Sequence, residues 1–163
     1  MKKLKKIAAS LMVAATMITS SVNCMNVSAS YEDTYFSNFT APPGISGDFS
    51  SVPIENNGVR RKDTDKSVFV NITSSTYKVG VQTWGLSNLS WSGGSNRTCN
   101  SSGNYTNCVT LIAGYRYQIK NGIYESGYGY AGLKMASADQ YSCSSVTGKW
   151  SPDYYPDGAY IAS

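Results

Sequence analysis

Cys99 and Cys108 close the stretch CNSSGNYTNC, with only small polar residues and one tyrosine between them. Paired thiols can hold a metal, run a redox cycle or staple a hairpin. The chain contains no histidine. That removes the Ser-His-Asp and Cys-His nucleophile pairs and the histidine-containing zinc and copper sites. A redox pair uses Cys-x-x-Cys spacing, and this spacing is wider. A two-residue turn at Gly103-Asn104 would set Cys99 opposite Cys108, on a non-hydrogen-bonded pair where side chains come closest. The sequence therefore predicts a Cys99–Cys108 disulfide, worth roughly 2.5–3 kcal/mol on the chain-entropy account. Cys143 is left over, either as an unreactive thiol or as a bridge to another molecule.

Other chemistry has little to stand on. There is no P-loop and no glycine-rich dinucleotide fingerprint. Glu125 and Asp153 are candidate carboxylates for acid–base work, with no spacing to support them. Asp63 and Asp65 resemble a fragment of a calcium loop whose remaining ligand positions are missing. No catalytic residue, cofactor or metal is expected, and the chain reads as a non-enzyme.

The aromatic residues are more informative. Three tryptophans and thirteen tyrosines are present. Trp84, Trp91, Tyr128, Tyr130 and Trp150 lie among Gly, Ser and Asn. Rings beside small polar groups either form a surface that stacks on sugars or proteins, or fill the two faces of a small sandwich.

The N-terminus sets the compartment. Lys2, Lys3, Lys5 and Lys6 precede an apolar run to about Met17, and Val27-Ser28-Ala29 offers small residues for cleavage after Ala29. Residues 1–29 thus read as a secretory signal peptide of Gram-positive style. The apolar run is too short and too broken to span a membrane, and no integral segment is expected after its removal. A lipid-anchored form acylated at Cys24 is the rival reading. Without the signal, ten basic residues face ten acidic ones. A charge near zero gives no reason to expect nucleic acid as a partner.

These features need elements to position them. Residues 30–59 show no sustained period, and Pro42-Pro43-Gly44 interrupts them, so an irregular or partly disordered N-terminal arm, laying at most one strand on the body, is expected. From Arg60 the texture changes. Val68, Val70 and Ile72 alternate with Ser67, Phe69 and Asn71; Tyr77, Val79 and Val81 alternate with Lys78, Gly80 and Gln82; Tyr115, Tyr117 and Ile119 alternate with Arg116, Gln118 and Lys120. Period-two patterns rich in β-branched and aromatic residues mark half-buried strands. YGYAGLKM adds another candidate strand, and Asn121-Gly122 before it predicts a hairpin turn. RRKDTDK, Arg60 to Lys66, reads as a charged lead-in to a strand or as an anchor for an anionic partner. In GKWSPD, Trp150 ends a strand that turns sharply, because Pro152 disfavours helix before it. The expected fold is all-β: an antiparallel β-sandwich, or open barrel, over residues 60–163.

The RRKDTDK start, the segment IKNGIYESGYGYAGLKM and the closing GKWSPD together resemble small exported proteins of Gram-positive bacteria catalogued as a domain of unknown function. The resemblance covers roughly Arg60 to Asp153. It implies an exported, mostly β protein and brings no catalytic residues. A fainter similarity is to secreted bacteriocins of the lactococcin-972 kind, small β-sandwiches with a Gly-x-Trp near the C-terminus. The resulting expectation is a secreted, non-catalytic protein that acts by contact with the cell envelope, through cell-wall glycan or a protein partner. A bacteriocin-like effector is the alternative.

Overall fold

The computed structural model describes residues 31–163; the predicted signal peptide and Cys24 lie outside the described residues. Among the described residues there are eleven strands: β1 (Thr34–Ala41), β2 (Ser50–Ser51), β3 (Val59–Arg61), β4 (Val68–Ser75), β5 (Val79–Leu86), β6 (Ser95–Asn96), β7 (Val109–Leu111), β8 (Arg116–Ile119), β9 (Tyr130–Ser137), β10 (Ser144–Ser151) and β11 (Tyr160–Ile161). A single 3₁₀ turn spans Ile54–Asn56, and the described residues contain no α-helix. None of them forms a helix long and apolar enough to cross a membrane.

The strands form two sheets. The first has the order β1-β10-β4-β8-β11, antiparallel except for the β8–β11 pair. In the second, β9 pairs with β2, β3 and β5, and β5 pairs also with β6 and β7. The sheets pack face to face and do not close into a barrel. Val68, Val70, Ile72, Ile119, Val146 and Trp150 of the first meet Val79, Val81, Val109, Leu111, Leu133 and Met135 of the second in one buried cluster. The alternating residues of the three predicted strands supply much of this core, as period-two patterning requires.

The N-terminal segment departs from expectation. The one strand allowed for is present as β1, but among the described residues 31–59 further pairing through β2 and β3 and buried side chains tie the segment into both sheets, so it is not a loose arm. β1 lies along β10, and Phe36, Phe39, Ala41 and Val52 are buried in the core. The reason is a bulge. Phe36 and Phe39 are three positions apart, which a flat strand would place on opposite faces. The register shifts between them, and Asn38 takes a left-handed conformation with φ 50°. The extra residue turns both rings inward, and asparagine tolerates that backbone better than most residues.

Asn121-Gly122 is not a hairpin turn either. β8 belongs to the first sheet and β9 to the second, so the chain crosses the sandwich between them. The Asn121 amide is buried and donates to the carbonyls of Ile119 and Lys66, while its oxygen accepts from the Ile123 N–H. A side chain used to brace a crossover does not serve as a hairpin tip.

The predicted staple is also corrected. Cys99, Cys108 and Cys143 are free thiols. Cys99 bridges to Tyr105, Asn104 O accepts from Asn100 N, and Thr98 O accepts from Thr106 N. This register is tighter than the one a Gly103-Asn104 turn imposes. Asn100 directs it: its side-chain oxygen accepts from the N–H groups of Ser102 and Asn104, each at 3.0 Å, and Gly103 supplies the positive φ of 87°. An Asx-type turn of this kind offers the backbone an alternative to the two-residue hairpin.

Candidate functional site

Because β5 turns Val79 and Val81 into the core, alternation sends Gly80, Gln82, Trp84 and Leu86 to the outer face of the second sheet. Register places Lys134 beside Gln82 and Gly132 beside Trp84. The Lys134 ammonium lies 3.5 Å from the centre of the Trp84 ring and 5.7 Å from that of Trp91. A cation over an indole is held by the ring quadrupole, by about 0.5–1 kcal/mol at exposed sites and more when desolvated. Burial lowers the Lys134 proton affinity below the ordinary lysine value.

A line of amides fixes the Trp84 ring. Its Nε1 donates to Gln82 Oε1 at 2.8 Å, and Gln82 Nε2 donates to Asn107 Oδ1 at 2.9 Å. Asn96, the register partner of Trp84, donates from Nδ2 to the Asn107 carbonyl at 2.7 Å. Asn107 in turn donates to the Ile45 carbonyl at 3.3 Å. Gln82 is buried, so its side chain is committed to this network. Trp91 arrives from the loop after β5 and rests on Gly132. A Cβ at Gly132 would lie 2.5 Å from Trp91 Cη2, so the glycine makes room for the ring. Trp91 Nε1 is buried and has no hydrogen-bond acceptor among the described residues.

The five aromatic candidates therefore separate. Trp84 and Trp91 come together around Lys134. Tyr130 pairs in register with Leu86 and so shares their face. Tyr128 packs against the core side over Gly85, where a Cβ would lie 2.3 Å from its ring. Its hydroxyl is 3.0 Å from Ser95 Oγ, and hydrogen bonding from Ser95 and Arg97 holds it below the usual phenol range. Trp150 does not belong to a surface: it is fully buried, and its Nε1 donates to Asn57 O at 2.9 Å. Its position on β10, in the same alternation as Val146, points it into the sandwich.

The two carboxylates separate as well. Asp153 is buried against Lys62, with Nζ 2.5 Å from Oδ1. Glu125 is exposed and lines an open cleft of about 570 Å³ shared with Asp65, Lys66, Cys99, Lys120 and Tyr154. Burial, and then the Glu125 charge, push the Cys99 thiol up from its ordinary value of 9.0. That is the reverse of the depressed value an attacking thiolate needs. Asp63 pairs with Arg61 at 2.6 Å. No group of three metal-ligating side chains occurs among the described residues.

Lys134, Gln82, Asn96 and Asn107 were not singled out in the sequence. A signal existed for the first. In AGLKM, Lys134 stands between Leu133 and Met135, and strand alternation alone assigns it to the solvent face. The amides gave none, since Asn and Gln are scattered through the chain.

No curated protein and no solved structure matches this chain. A family model does match, over residues 19–154, and its description is "Protein of unknown function (DUF2712)". That bears out the likeness to a domain of unknown function drawn from RRKDTDK, YESGYGYAGLKM and GKWSPD. With so much of its length matched, the chain belongs to the DUF2712 family.

Proposed function

We propose that this is an exported, non-catalytic protein that acts by contact, and that the outer face of the second sheet touches cell-wall glycan. One observation carries the reading. Two half-buried indoles and an ammonium are gathered on a rigid sheet, bordered by neutral amides, outside the core cluster. Aromatic rings with a few placed polar groups suit a sugar, whose apolar face stacks while its hydroxyls hydrogen-bond. The strands hold the site at fixed spacing, so little ordering cost falls on binding.

The test is co-sedimentation of the purified protein with isolated Gram-positive cell walls, run beside a growth-inhibition assay. Wild type should sediment with the walls and leave growth unaffected. Trp84→Ala should stay in the supernatant while its thermal unfolding remains cooperative. Equal sedimentation of wild type and Trp84→Ala would overturn the assignment of this face. Killing at low concentration would replace it with the effector reading.

A further inference from the structure

We infer that the Trp84–Lys134–Trp91 surface takes a sugar bearing a carboxylate, with the acid on the Lys134 ammonium and the sugar ring against the indoles. This rests on the proposed glycan contact and specifies its chemistry. Lys62, Arg61, Arg116 and Lys149 each have a carboxylate partner. Lys134 has none among the described residues, and its ammonium makes no hydrogen bond to them; its described partners are the two indole rings. Burial lowers its proton affinity, which leaves an ammonium that gains from an incoming anion.

The surroundings decide which anion fits. Gln82, Asn96 and Asn107 are neutral, and across the β2–β9 pair the register partner of Lys134 is Ser51. The face is therefore locally positive on a chain whose charges otherwise nearly cancel beyond the signal segment. A single ammonium is a compact point charge with three donors. It matches a singly charged carboxylate. Lysine also binds phosphate as a point charge, but a doubly charged phosphate gains most from bidentate arginine or converging backbone N–H groups, and the described residues of this face supply neither. The indoles flank the ammonium within 3.5 and 5.7 Å. An acid placed on Lys134 thus brings the ring that carries it against aromatic surface. A neutral sugar would gain the stacking and leave the ammonium without its ion partner.

The experiment is a titration followed by tryptophan fluorescence. The probes are N-acetylmuramic acid and an oligogalacturonate, each paired with its methyl ester. We expect the free acids to bind at least ten-fold more tightly than the esters, with the preference shrinking as salt is added. Lys134→Met should bring acid and ester to the same affinity, and Lys134→Arg should keep most of the preference. Thermal unfolding of both variants checks that they are folded. Equal binding of acid and ester to wild type overturns the carboxylate assignment while leaving the glycan contact standing. Binding of neither, in a protein that still sediments with cell walls, overturns the saccharide chemistry of this face and leaves contact by another route.

Discussion

Lys62 and Asp153, 91 positions apart, form an ion pair from which solvent is excluded: Nζ lies 2.5 Å from Oδ1 and neither side chain is exposed. Asp153 also accepts from the Asp63 N–H at 3.0 Å and from Thr64 Oγ1 at 2.6 Å, and Lys62 donates to the Lys66 carbonyl. The pair ties RRKDTDK to GKWSPD, the first and last of the sequence features that resembled a family. A charge run that reads as a solvated lead-in is thus partly a buried clasp.

Breaking that clasp from one side should be costly. Removing one partner of a buried pair leaves the other uncompensated, at about 3–5 kcal/mol. Asp153→Asn and Lys62→Ala should each lower stability by that order in urea unfolding. Burial already depresses the Lys62 proton affinity, opposed by Asp153. Over the window between the lowered value and the ordinary 10.5 the unfolded chain binds more protons, so stability rises with pH there. Losing Asp153 removes the main opposing cause, so the window should widen downward in Asp153→Asn. An Asp153→Asn protein with wild-type stability and an unchanged pH profile would show that the clasp is incidental.

Gly148 makes a second sharp test. A Cβ there would lie 2.4 Å from the Asn71 carbonyl oxygen and 2.9 Å from Phe36 Cζ. The backbone oxygen belongs to the paired strand and cannot swing away. Gly148→Ala should therefore destabilise by about 1–3 kcal/mol, as overpacking does. Trp150→Ala, two residues on, opens a cavity and should cost about 3–5 kcal/mol. Chemical denaturation of the two variants should order them that way. A neutral Gly148→Ala would mean that β4 and β10 separate more easily than their register suggests.

The strands that were legible in the sequence are those with an uninterrupted period of two, Val68-Val70-Ile72, Val79-Val81 and Tyr117-Ile119, together with YGYAGLKM, which forms most of β9. β1 was illegible because its bulge spaces Phe36 and Phe39 by three. The same kind of local device hid the Cys99–Tyr105 register, since the Asn100 side chain, not a Gly-Asn dipeptide, sets the turn. At the candidate site, Trp84 and Trp91 were visible by type. Their meeting around Lys134 was not, because it depends on which strand β9 pairs with, a long-range choice that no local pattern encodes.

The thiols make a direct check on that register. In the native protein Cys143 is exposed and Cys99 is buried, and burial raises both Cys99 and Cys108 above 9.0. Iodoacetamide near neutral pH should label Cys143 first and Cys99 last, read by peptide mass spectrometry without reduction. The two raised thiols bind protons more tightly when folded. Their contribution to stability is present below about 9 and declines as pH climbs through the raised values. Recovery of a Cys99–Cys108 peptide pair from native protein would restore the hairpin register that the Asn100 turn replaces.

The segment from Thr34 to Val52 gives the last prediction. If it were a loosely attached arm, protease would remove it early and the remainder would stay folded. The structure makes it part of both sheets: β1 is an edge strand on β10, β2 pairs with β9, and Val52 N donates to the Leu133 carbonyl at 3.0 Å. Phe36, Phe39, Ala41 and Val52 leave the core if it is deleted. Each large apolar side chain is worth about 1.5–3 kcal/mol of burial. Two phenylalanines and a valine therefore rival the whole margin of a small domain, about 5–15 kcal/mol. A chain beginning at Glu55 should fail to give a cooperative thermal transition and should bind a hydrophobic dye. Limited proteolysis of the longer protein should leave Thr34–Val52 intact until global unfolding. Early clipping inside β1 with retained cooperative unfolding of the remainder would show that the two sheets close without it.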